Sequence, residues 1–218
     1  MLAQVLPFRP KARQVQGETP EILAEALQDG VNLAVWQRRL PLHIQDFATA
    51  LLSLNEPLSE SLVLEVEGGD AEPDLRGLVS GYTDVQGHAG FIADVSWLVS
   101  AYACLLGAER VGVRLRAMDK AMCPRFHVDH VPMRLITTYA GSGSQWLAER
   151  AMDRAHLGPR DIELPEPAQI RQLHCGDVAL LKGERWSGNE GCGLIHRWPH
   201  LARDERRLIL TLDWLAQD

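Results

Sequence analysis

The sequence predicts an α+β fold in which an amino-terminal helical layer packs on a carboxy-terminal β-barrel. Three observations carry this. Up to Gly107 the apolar residues recur mainly at helical spacing, and from Val111 they alternate instead. The later segments are also short, and Gly, Pro and Asn punctuate them with no helical stretch between. A run of short strands without intervening helices points to a sandwich or barrel.

Taken in order, "TPEILAEALQDG" has Thr19 as N-cap, Pro20 at the first helical position and Gly30 as terminator, so it predicts a helix. "VNLAVW" has the length and apolar character of a buried strand, and "LHIQDFATALLSL" returns to helical spacing. Around Pro57 the pattern weakens, and residues 67–89, with five glycines, read as a long loop or the join between layers. Phe91, Ile92, Val95, Leu98, Val99, Tyr102, Leu105 and Leu106 then mark a helix that Gly107 ends, with Cys104 expected as a small buried hydrophobe on it. "VGVRLRAM", "MRLITTYA", "GDVALLKG", "CGLIHRW" and "RRLILTLDW" are the expected strands. Residues 1–110 thus form a helical layer with short strands and residues 111–218 a barrel, in one compact unit.

Composition narrows the function. Among 218 residues, 46% are hydrophobic and 29 Asp+Glu stand against 22 Lys+Arg, a net charge of -7 that offers no general attraction to nucleic acid. The sequence reads as having no membrane span and no cleavable leader, which predicts a cytoplasmic protein. Four cysteines (Cys104, Cys123, Cys175, Cys192) in a chain of this size do not form a disulfide framework.

The chemistry concentrates in "FHVDH", residues 126–130. In an extended strand, residues two apart share a side, so His127 and Asp129 present an imidazole and a carboxylate together. With His196 they would make a 2-His-1-carboxylate metal site, whose open positions suit substrate and oxygen on Fe(II) or water on Zn(II). Polar surface turns also collect such a tripeptide; the order of parts separates the two readings. An alternating strand, the His-x-Asp, a β-rich middle, Gly176–Asp177, His196 and then Arg206–Arg207, ten residues on, follow one another.

That order resembles the cupin and Fe(II)/2-oxoglutarate-dependent oxygenase superfamily, whose barrel is a double-stranded β-helix, or jelly roll. A closer resemblance is to the uncharacterised bacterial domain-of-unknown-function family 1826, through "VNLAVWQR", "CPRFHVDHVPMRLITTYAGSGSQWL", "GDVALLKGERW", "LIHRWPH" and "RRLILTLDW". The resemblance implies that His127, Asp129 and His196 hold iron, and that one of Arg206 and Arg207 pairs with the distal carboxylate of 2-oxoglutarate. Strand neighbours face opposite ways, so only one of the two points inward; the alternative is a pair of exposed edge-strand charges. Arg134, Thr138 and Tyr139 on the preceding strand are further candidates for the cosubstrate carboxylate.

Two other readings use the same pocket. Cys123 and Cys192 each precede a candidate histidine by four residues, and with His127 and His196 they would form a closed, structural Zn(II) site in a binding protein without turnover. A hydrolase or isomerase using metal-bound water is the third. His130 is expected on the opposite face, in a supporting or surface role, and His174 as structural. Trp146, Trp186 and Trp198 either line a pocket mouth or simply pack.

Overall fold

The structure is a computed structural model that describes residues 12–66, 72–157 and 166–216. Two sheets face one another. The larger is built from β1 (Arg13–Gly17), β2 (Val31–Trp36), β3 (Ser59–Glu65), β4 (Arg110–Met118), β5 (Met133–Ala140), β8 (Val178–Lys182) and β10 (Arg207–Trp214), in the order β1-β2-β8-β5-β10-β4-β3. Only β1 and β2 run parallel; every other pairing in it is antiparallel. The smaller sheet consists of β6 (Gln145–Leu147), β7 (Ile170–Gln172) and β9 (His196–Arg197), in the order β7-β6-β9.

Alternation gives the large sheet two buried faces. Leu208, Leu210 and Leu212 of β10, with Val111, Val113 and Leu115 of β4, point to helices α1 (Leu42–Ser53) and α2 (His88–Leu106). Ile209, Ile136, Ala179, Leu181, Leu33 and Val35 point the other way, into the barrel, and meet Trp146 of the small sheet and Leu194. A strand covered on both faces reads as a near-continuous apolar run, as "RLILTL" does.

The five carboxy-terminal segments expected to be strands contain β4, β5, β8, β9 and β10. The first 110 residues contribute more sheet than "VNLAVW" alone, since β1 and β3 also join it, one at each edge. Pro20–Leu27 is a 3-10 helix, and Thr19 makes no side-chain cap. Its three-residue turn stacks Leu23 and Ala26 on one side, where both are buried. Gly107 ends α2 in a left-handed conformation as expected, φ 61°. Contrary to the sequence reading, α2 is long and apolar enough to cross a membrane by length and composition. It lies across the sheet instead, burying Phe91, Val95, Leu98, Val99 and Tyr102. Cys104 is exposed, because Ala103 takes the core-facing position beside it.

Candidate metal centre

His127 and His196 are brought together by the backbone. The segment carrying His127 is extended and adds a single antiparallel bridge to the free side of β9, with His127 N–H donating to His196 O (3.0 Å) and His196 N–H to His127 O (2.9 Å). Directly paired residues project to the same face, so the two rings lie 4.5 Å apart between centroids. Asp129, two residues on, sends its carboxylate to the same place: Oδ1 is 3.7 Å from His127 Nε2, and Oδ2 is 3.5 Å from His196 Nε2. One ligand atom from each of the three residues lies within 4.8 Å of the others.

These separations are too long for good hydrogen bonds. They suit donors arranged around one cation, since metal bonds of about 2.1 Å set neighbouring ligand atoms roughly 3–3.5 Å apart. The other ring nitrogens are committed: His127 Nδ1 donates to Arg125 O (2.9 Å) and His196 Nδ1 to Leu194 O (3.1 Å). A proton on Nδ1 leaves the Nε2 lone pair free, which is the tautomer a metal needs. Burial at 3% exposure pushes the His196 pKa below its ordinary value, so the ring is neutral near pH 7. The donor set therefore fits a divalent cation with open coordination positions.

The His-x-Asp segment is held from behind by Gly183 and Glu184. Glu184 N–H donates to Asp129 O (2.9 Å) and Gly183 N–H to Pro132 O (2.9 Å). A Cβ at Gly183 would stand 2.1 Å from Val131 O and 2.8 Å from Asp129 O, so only glycine permits this approach. The Asp129 side chain has its own support. Arg134 Nη1 donates to Asp129 Oδ2 (2.8 Å), while its Nε and Nη2 donate to Asp213 (2.7 and 3.1 Å). Arg114 donates to Asp213 as well.

Of the arginine pair, Arg207 faces the barrel. It is buried, its Nη2 donates to Thr138 Oγ1 (3.0 Å) and Ser144 Oγ (3.2 Å), and its guanidinium carbon lies 5.5 Å from the centre of the Trp198 ring. Its Nε and Nη1 are buried without a partner among the described residues. Burial lowers its pKa to about 10, which leaves it charged near pH 7. Arg206 turns outward and donates to Leu52 O in the last turn of α1 and to Glu56 O beyond it.

Several expected roles change. Tyr139 is on the helix face of β5, where its hydroxyl donates to Asp94 (2.6 Å), so alternation takes it out of the barrel. Arg134 is in the barrel, but its donors are directed at Asp129 and Asp213 rather than at a cosubstrate. Among the described residues, Cys123 and Cys192 do not join the His127–Asp129–His196 group. His130 and His174 are exposed. Trp146 and Trp198 pack inside the barrel, and Trp186 packs against the helix-side core. Sequence reasoning missed Asp213, Ser144 and Gly183. Asp213 left one trace, as the lone acid in "RLILTLDW".

No curated protein matches the sequence. Among solved structures, the dioxygenase for auxin oxidation 1 of Arabidopsis thaliana, in its complex with 2-oxoglutarate, is 10% identical with a TM-score of 0.53, covering 95% of this chain and 93% of that one. A bsmA homologue from Methylobium petroleophilum is 11% identical with a TM-score of 0.50, covering 88% and 91%. A prolyl-4-hydroxylase from Pseudomonas putida is 12% identical with a TM-score of 0.47, covering 91% and 98%. At such identities the likeness to the first two establishes the fold alone, a double-stranded β-helix with helices packed on its larger sheet. The family described as a protein of unknown function, DUF1826, matches residues 17–213, and the chain belongs to that family.

Proposed function

We propose that this protein is an oxygenase that binds Fe(II) through His127, Asp129 and His196 and 2-oxoglutarate through Arg207, and oxidises a substrate still to be identified. The observation that carries this reading is a pairing of two features inside one barrel. Three metal-competent side chains converge, and a buried arginine keeps two unsatisfied donors. A buried guanidinium with open N–H groups is costly unless an anion completes it, and a carboxylate can do so through two parallel bonds.

Each side chain then has a task. The two imidazoles, each with Nδ1 committed to a backbone carbonyl, would hold the metal through Nε2, and the Asp129 carboxylate would complete the set. Arg207, braced by Thr138 and Ser144, fixes the angle of the cosubstrate carboxylate, with the Trp198 ring beside it. Ile136, Ile209 and Trp146 keep the surrounding barrel apolar, which strengthens that ion pair. Fe(II) with 2-oxoglutarate supplies O2-dependent oxidation of an organic substrate, with decarboxylation of the cosubstrate. Binding of 2-oxoglutarate by the Arabidopsis structural neighbour supports the cosubstrate assignment.

The test is an anaerobic titration of Fe(II)-loaded protein with 2-oxoglutarate, read as a weak visible absorption band. The wild type develops the band, His196→Ala loses it with its iron, and Arg207→Gln needs a much higher 2-oxoglutarate concentration. Iron-loaded wild type that gives no spectral response to 2-oxoglutarate would overturn the proposal.

A further inference from the structure

The inner face of the large sheet is not uniform. On the side of β2, β8, β5 and the middle of β10 it is apolar and covered by the small sheet. On the side of β4 and β3 it is polar. Pairing across the strands sets out two rows: Ser59, Arg116, Ile209 and Thr138 lie abreast, and next to them Ser61, Arg114, Thr211 and Ile136. Residues abreast in a sheet share a face, so each arginine has a serine hydroxyl beside it. In the following row Gly112, Asp213 and Arg134 lie abreast, and Arg134 reaches the candidate metal ligand Asp129.

This face is open and electrostatically unbalanced. Ser59, Ser61 and Val63 are exposed, and Arg114 and Arg116 are half-buried. Arg116 makes no ion pair among the described residues; its guanidinium meets Met122 Sδ at 3.6 Å, and a thioether is at best a weak acceptor. Met122 belongs to the loop leading into His127, so this contact ties Arg116 to the segment that carries the candidate ligands. Arg114 shares the single carboxylate of Asp213 with Arg134, and Arg134 divides itself between Asp213 and Asp129. Three guanidiniums against two carboxylates leave one positive charge, and a divalent cation at Asp129 would add two more. In a chain of net charge -7 this excess is local and points toward one place.

We propose that the inner face of β4 and β3 is the substrate-binding surface and that the substrate carries an oxyanion, a carboxylate or a phosphate, which Arg116 and Arg114 hold with Ser59 and Ser61. The assignment of a substrate rests on the proposed oxygenase function; the anion site itself does not. In the proposed function Arg207 takes the cosubstrate carboxylate from a buried position on the neighbouring strand β10, where it pairs with Met118, two residues beyond Arg116 on β4.

The probe is inorganic phosphate, titrated by calorimetry at constant ionic strength into Mn(II)-loaded protein with saturating 2-oxoglutarate, which occupies Arg207. Wild type binds one phosphate. Arg116→Gln weakens it about tenfold, the scale of one charge-assisted hydrogen bond. Arg76→Gln, an exposed arginine paired with Asp74, serves as control and binds like wild type. Phosphate binding that is absent from the wild type, or equal in Arg116→Gln, overturns the inference. If the wild type fails to take up Mn(II), the proposed function falls instead, and the same comparison on metal-free protein decides the anion site.

Discussion

Asp213 is the residue whose loss separates positioning from scaffolding at the candidate centre. Replacing it with Asn removes a buried carboxylate that accepts from Arg134 Nε and Nη2 and from Arg114. Asparagine offers one oxygen and turns an N–H2 toward a guanidinium, so at least one donor is orphaned, at about 1–3 kcal/mol. Two effects on metal binding then act in the same direction. Arg134 loses the partner that orients it on Asp129, and its charge, no longer neutralised, repels a cation held by Asp129. Loss of a supporting partner behind a metal ligand weakens binding by about 10–100-fold, or about 1.4–2.7 kcal/mol. Substituting Arg134 itself is less informative, because losing the orientation and relieving the repulsion oppose each other. The assay is anaerobic Co(II) titration of metal-free protein followed by its visible spectrum, with urea unfolding of the same samples. Asp213→Asn should raise the Co(II) Kd at least tenfold and alter the band. An unchanged Kd alongside lowered stability would make Asp213 a scaffold residue and refute the reasoning.

Three further outcomes are expected. Asp94→Asn removes the carboxylate that binds the half-buried Arg38 at 2.6 and 2.9 Å and accepts from Tyr139 at 2.6 Å; urea unfolding should show a loss of about 3 kcal/mol, the low end for a broken ion pair largely withdrawn from water, and a loss below 1 kcal/mol contradicts it. Gly141→Ala places a Cβ 2.3 Å from Arg206 O and 2.9 Å from the Arg207 Cα at φ 80°; it should cost about 1–3 kcal/mol in strain and also weaken 2-oxoglutarate binding, whereas wild-type cosubstrate affinity would mean the turn does not set Arg207. Burial raises the pKa of Tyr102 and Tyr139 above the ordinary value, so above about pH 10 the unfolded chain releases protons that the folded chain retains, and stability falls as pH rises. Absorbance at 295 nm should show one of the three tyrosines, Tyr82, ionising before unfolding and the other two only with it; three ionising in a folded protein would count against their burial.

What could be read from the sequence follows from how local each signal is. The strands β4, β5, β8 and β10 are long enough, at five to nine residues, for alternation to declare itself. The strands β6 and β7 span three residues each, below any period, and edge strand β1, "RQVQG", buries too little to look like a strand. The His-x-Asp spacing was legible because two residues on one side of an extended segment is a geometric statement. The choice between Arg206 and Arg207 was not, since it depends on the register of β10 against β4 and β5, set by contacts about 70 to 100 residues apart in sequence. Tyr139 illustrates the same limit. It shares β5 with Arg134 and Thr138, but five positions after Arg134 it has the opposite parity, and parity decides whether a side chain enters the barrel or the helix-side core. Asp213 and Arg134 were each visible as a polar break in an apolar strand, and pairing them required the register that sets β10 beside β5. A single sequence thus displays which residues are out of place in a strand, and the sheet supplies the partner that explains them.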